Sequence, residues 1–121
     1  MGRTVANFYR ELQAAGVALC VRPGGFHECG ADRVSRVVYL GADATSDATE
    51  AAIVGLHELG HIATDSCSFF SSLLYGSELA NYSNELAAWA WASDHIDAAD
   101  RALFEEFRAW SLNSHRGNEI L

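Results

Sequence analysis

The stretch His57-Glu58-Leu59-Gly60-His61 constrains this chain more than any other. Two histidines four residues apart share a face only if the backbone between them is helical, and both imidazoles then reach one point in space. The flanking residues meet that condition. Ser46 or Asp47 can cap a helix, Glu50 stands three residues after Asp47 as in a capping box, and the spacing predicts a helix over 48–63. Ile53, Val54, Leu56, Leu59 and Ile62 make that helix a buried one. Histidines enclosed by apolar neighbours need partners, and the partner that suits this spacing is a metal ion. By chance the five-residue pattern arises in well under about 1% of chains of this size and composition.

The chemistry follows from the same geometry. His57 and His61 are the expected ligands, zinc the expected ion. Glu58, one residue on from His57, projects beside the metal and is the expected catalytic base. It would take a proton from metal-bound water, whose pKa zinc lowers to about 7, and pass it to a leaving amine.

Around this helix the pattern is that of a small α+β domain spanning residues 1–121. Val5, Phe8, Tyr9 and Leu12 recur at helical spacing over 4–15, and Gly16 is placed to end that helix. Residues 17–21 read as a short buried strand closed by Pro23-Gly24-Gly25. A second short strand is expected at 26–29 and a turn at Gly30-Ala31-Asp32. Val34 to Leu40 gives the clearest strand. After the motif helix, 66–75 reads as a short helix or ordered loop. Ser77 can cap a long helix reaching about Ile96, and a last helix from near Asp97 carries Leu103, Phe104, Phe107 and Trp110 inward.

A catalytic zinc site takes three protein ligands and keeps one position open. The third ligand has four candidates, Asp65, Cys67, Glu78 and Glu85. If the pattern continued as HExxHxxGxxH, its glycine would fall on Thr64 and its last histidine on Cys67, so that arrangement is absent. Glu78 and Glu85 are seven apart and can share a helix face. Glu85 lies within Leu86, Ala87, Ala88, Trp89 and Ala90, too apolar for a solvated face, and is the preferred ligand. Glu78, in a first helical turn, has the alternative explanation of favouring the helix dipole.

HELGH followed by a glutamate on a later Ala- and aromatic-rich helix resembles the gluzincin side of the zincins, and more narrowly the ImmA/IrrE-like metallopeptidases of bacteria and mobile elements. That family carries a second motif close to E-A-x-x-F-A. Here Glu85-Leu86-Ala87-Ala88-Trp89-Ala90 corresponds to it, with Leu86 and Trp89 as departures. The resemblance covers about residues 34–96. It implies a minimal zincin-like fold of N-terminal helix, three-stranded sheet, HExxH helix and C-terminal helices. It also implies His57, His61 and Glu85 as ligands, Glu58 as base, and protein targets such as repressors of mobile elements. Tyr82-Ser83-Asn84-Glu85-Leu86 is also distantly similar to the zincin domain of ArdC-type antirestriction proteins.

Composition excludes other classes. The formal charge of −8, from 16 acidic and 8 basic residues without a basic cluster, argues against binding nucleic acid through phosphates. No apolar run approaches the roughly 18 residues of a membrane span, and no secretory pattern opens the chain, so a cytoplasmic setting is expected. Cys20, Cys29 and Cys67 form no CxxC pair and read as reduced, buried thiols. Tyr75, Tyr82 and His95 are candidates for steadying an oxyanion, His95 having the simpler reading of a helix-end residue. His27 and Cys29 read as structural or surface residues, His115 as exposed, and Trp89, Trp91 and Trp110 as core, with Trp89 or Trp91 partly exposed. The expectation is a zinc peptidase acting on a protein or peptide laid along Val34–Leu40 as an edge strand. The alternative is a non-catalytic zinc-binding or antirestriction-like module that acts by association.

Overall fold

A computed structural model describes residues 2–65 and 77–120, with side chains described for 2–65 and 82–113. The expected segment at 66–75, with Cys67 and Tyr75, and the side chains of Glu78 and His115 lie outside that description. The elements are α1 (Arg3–Ala15), β1 (Ala18–Arg22), β2 (Gly30–Asp32), β3 (Val37–Gly41), α2 (Ala48–Ala63), α3 (Ser77–Ser93) and α4 (Arg101–Ile120). Short 3-10 turns stand at Phe26–Glu28 and Ala98–Asp100. Among the described residues, four helices and a three-stranded mixed sheet make the fold α+β.

Helix α1 buries Thr4, Val5, Phe8 and Leu12, one stripe of the 3.6-residue period. Tyr9, about 100° round the helix from Phe8, is half exposed rather than part of that stripe. Gly16 adopts φ 66°, and the N–H of Val17 reaches back to the Leu12 carbonyl at 3.0 Å, so the helix stops where a left-handed residue without a Cβ is needed.

The sheet order is β1-β3-β2, with β1 parallel and β2 antiparallel to β3. Val34–Leu40 is therefore neither a full strand nor an edge. The Asp32 carboxylate accepts the N–H groups of Val34 and Ser35 at 2.9 and 3.1 Å, and Arg36 has φ 56°, which makes 33–36 a turn. The strand begins at Val37 and lies in the middle of the sheet, where its hydrogen-bonding edges are already taken. The expected strand at 26–29 is instead a 3-10 turn, and the expected turn at Gly30-Ala31-Asp32 is β2. Cys20 is exposed and Cys29 half-buried, so neither is the enclosed thiol expected from type alone.

Helix α2 spans the predicted residues. Asp47 Oδ1 accepts the Glu50 N–H at 2.9 Å, while Glu50 Oε1 accepts the Ser46 N–H at 2.9 Å, a capping box shifted by one residue on its return arm. The helix is buried on nearly every side, among α1, the sheet, α3 and α4. Two glycines explain how so many neighbours fit. A Cβ at Gly55 would lie 2.3 Å from the Phe8 ring, and one at Gly60 would lie 2.5 Å from the backbone carbonyl oxygen of Ala88 on α3. The first neighbour is a ring; the second is main chain and cannot swing away.

Helix α4 places Phe104 fully inside, against Trp89, with Leu103 and Phe107 half-buried. Trp110, expected inside, is 56% exposed. Among the described residues no helix is long and apolar enough to cross a membrane.

Gly60→Ala tests the close approach of α2 and α3. Helix propensity alone would favour alanine by about 1 kcal/mol, but the clash with backbone should outweigh it and leave a net cost of about 1–3 kcal/mol. Urea unfolding followed by circular dichroism reads this directly. An unchanged or raised midpoint would mean that the two helices need no such proximity.

Candidate metal centre

The close packing of α2 on α3 brings the chemistry-bearing residues together. His57 and His61 project from the last turns of α2, and Glu85 projects from α3 one turn before Ala88. His57 Nε2 lies 2.6 Å from Glu85 Oε2, and His61 Nε2 lies 3.0 Å from Glu85 Oε1. One carboxylate thus faces both imidazoles, one oxygen to each. The two ring centroids stand 4.8 Å apart with their planes inclined at 67°.

Glu58 joins the group from the other side. Its Oε2 lies 3.6 Å from His57 Nδ1, the ring nitrogen turned away from Glu85. Ligand-type atoms of His57, Glu58 and His61 all fall within 4.8 Å of one another. Proximity alone therefore admits either carboxylate as third donor, and ring orientation separates them. Both Nε2 atoms converge on Glu85, whereas Glu58 pairs with the Nδ1 of His57 and borders the open cavity.

The two carboxyls are pushed in opposite directions. Burial raises Glu58 above the usual carboxylate range and the Glu85 charge adds to this, while the imidazoles of His57 and His61 oppose it. Burial would raise Glu85 too, but its contacts with His57 and His61 outweigh that and hold it well below the usual range. The donor set, two imidazole nitrogens and an ionised carboxylate from a separate helix, fits a divalent cation of borderline softness such as zinc.

A supporting set of contacts surrounds the donors. The Trp89 indole stacks on the His57 ring, with centroids 4.1 Å apart and planes within 10°. Its Nε1–H donates to Ser111 Oγ at 3.1 Å, and Ser111 Oγ donates in turn to Glu85 Oε2 at 3.4 Å. Trp89 and Ser111 are both buried. Beside the donors opens a cavity of about 290 Å³ bordered by Phe26, Cys29, Val54, Phe107 and Trp110. Burial raises the Cys29 thiol, opposed by the Gly41 N–H that points at its sulfur from 3.2 Å.

Several sequence candidates fall elsewhere. Asp65 ends α2 at φ 55° and pairs with Arg33 in the turn before β3, so it is held away from the histidines. His95 packs on Trp91, 3.4 Å from Glu11 of α1, apart from the centre. Tyr82 is half-buried on α3. His27 is exposed, as expected. Ser111 and Phe26 were not singled out from sequence. Ser111 had a signal, since it lies seven residues after Phe104 and so on the inward face of α4, where a hydroxyl requires a partner. Phe26 had none, because its place at the cavity is set by a loop.

Ser111→Ala should leave the helical circular dichroism unchanged and weaken zinc binding by roughly 10- to 100-fold, the usual effect of removing a group that orients a ligand. Competition with a chromophoric chelator measures it, and an unaltered affinity would deny Ser111 that role. Against protein-family models, curated proteins and solved structures, the chain finds no match.

Proposed function

We propose that the protein is a zinc-dependent metallopeptidase that cleaves a polypeptide, with His57, His61 and Glu85 holding the metal and Glu58 as general base. The observation that carries this reading is the meeting of both HELGH imidazoles, through Nε2, with the two oxygens of one carboxylate from a different helix. Glu58 then completes the arrangement as a second carboxyl, close to the donors and bordering the cavity.

When bound, zinc would acidify water and polarise a substrate carbonyl. The chain's own residues supply the rest. Trp89 fixes the plane of His57 by stacking, and Ser111 fixes one oxygen of Glu85. Glu58 is the proton acceptor. Its burial makes it more basic than an exposed glutamate, which favours proton transfer near neutral pH. A peptide would run along β2, an edge of the sheet as described, since Cys29 at its head borders the cavity.

The resemblance to ImmA/IrrE-like peptidases belongs to this reading, together with a cytoplasmic setting and a regulatory protein, such as a mobile-element repressor, as target. A zinc-binding module without catalysis is the competing function, and Glu58 separates the two.

Two variants make the test. Glu85→Ala should lose most of the roughly one zinc per chain that wild type retains after dialysis, read by elemental analysis. Glu58→Gln should keep its zinc yet cut an unfolded casein substrate about 10²- to 10⁴-fold more slowly than wild type. Zinc retention with no cleavage by wild type would favour the binding module, and no zinc in wild type would remove both readings.

A further inference from the structure

The cavity at the metal centre has a neighbour. A second hollow, of about 320 Å³, shares Phe26, Phe107 and Trp110 with the first and runs outward to Leu103, Glu50 and Glu106. The three shared aromatics form a common wall. Phe26 meets Trp110 with ring centroids 5.1 Å apart and Phe107 at 6.4 Å, both tilted. Trp110 is 56% and Phe26 40% exposed, so part of each ring is open to solvent at the groove. Large aromatics grouped and exposed beside a recessed set of polar groups are what an apolar binding site requires.

The two ends of this groove differ in chemistry. The inner end touches His57, Glu58 and Glu85, and its 290 Å³ accommodates one large side chain. The outer end carries the carboxylates of Glu50 and Glu106, on a chain of net charge −8. Glu50 is kept in place by the Ser46 N–H it accepts. Such an end attracts a cation and repels an acidic segment.

We propose that the groove selects polypeptides in which a bulky apolar or aromatic residue stands next to a lysine or arginine. The apolar side chain fills the inner hollow against Trp110 and Phe26, and the basic one reaches Glu50 and Glu106. This rests on the peptidase reading for its consequence, cleavage beside that pair, but the selectivity itself is a property of binding.

The test uses zinc-loaded full-length Glu58→Gln protein and three fluorescently labelled hexapeptides, with the central pair Phe-Lys, Ala-Lys or Phe-Glu between glycines. Fluorescence anisotropy gives their affinities. Phe-Lys should bind tightest, with Ala-Lys weaker by roughly 10- to 100-fold, as expected for losing a buried phenyl ring, and Phe-Glu also weaker. Adding Trp110→Ala should erase the preference for Phe over Ala alone. Adding Glu106→Lys should reverse the preference for Lys over Glu alone. Both positions are exposed, so these variants should fold, which their circular dichroism checks. Equal binding of the three peptides, binding of none, or preferences that survive both substitutions overturns the proposal. Selective binding in Glu58→Gln with no cleavage by wild type overturns the peptidase reading and leaves the groove assigned, while cleavage without this preference does the reverse.

Discussion

The close approach of α2 and α3 at Gly60 is the constraint on which the rest depends. Helices ordinarily keep 8–10 Å between axes because side chains separate them. Here one helix offers no side chain and the other presents the Ala88 backbone to the gap. One turn before Ala88 comes Glu85, and beside Gly60 comes His61. The glycine inside the HELGH motif therefore has a packing reason independent of any ligand: without it the glutamate would stand too far from both imidazoles. Trp89, immediately after Ala88, is carried onto His57 by the same contact.

That packing also sorts the charges. An ionised carboxylate enclosed by apolar helices is costly unless paired, and the two imidazoles supply the compensation that Glu85 needs. Glu58, a short distance away, has no equivalent compensation and is driven toward its neutral form by burial and by Glu85 itself. Two glutamates in one site thus differ in their readiness to hold a proton. Sites that separate a charge-bearing carboxylate from a proton-exchanging one are built on this difference.

How much was legible in the sequence follows from how locally each feature is determined. Helix α2 and its cap follow from signals within a few residues, and the Asp47–Glu50 pair forms as its spacing requires. The histidine pair and the glutamate after it were readable because helical periodicity and an apolar context are both local. The sheet was harder. Gly30-Ala31-Asp32 carries turn-forming residues and becomes a strand only by pairing with β3, and Val34, apolar but 88% exposed, is drawn out of its expected strand by the Asp32 turn. Trp110 looked like core on composition, and only the tertiary placement of α4 shows that its position faces a groove. Ser111 belongs to the centre through a hydrogen bond across 26 residues of sequence, a distance no local pattern spans.

Thr4 has a consequence for the order in which this protein can be completed. Its fully buried hydroxyl donates to Asp100 at 2.6 Å and accepts the Asp97 N–H at 3.0 Å, joining α1 to the start of α4. A chain growing on the ribosome makes α1 well before the partners of Thr4, which emerge more than ninety residues later. By the time α3 is out, His57, Glu58, His61 and Glu85 have all been synthesised, but the hydroxyl that steadies Glu85 and the Phe107 and Trp110 part of the aromatic wall have not. Folding here is not a sum of segments finished in turn. Helix α4 closes both the joint with α1 and the group of His57, His61 and Glu85, so the nascent molecule carries those side chains before it carries the contacts that orient them.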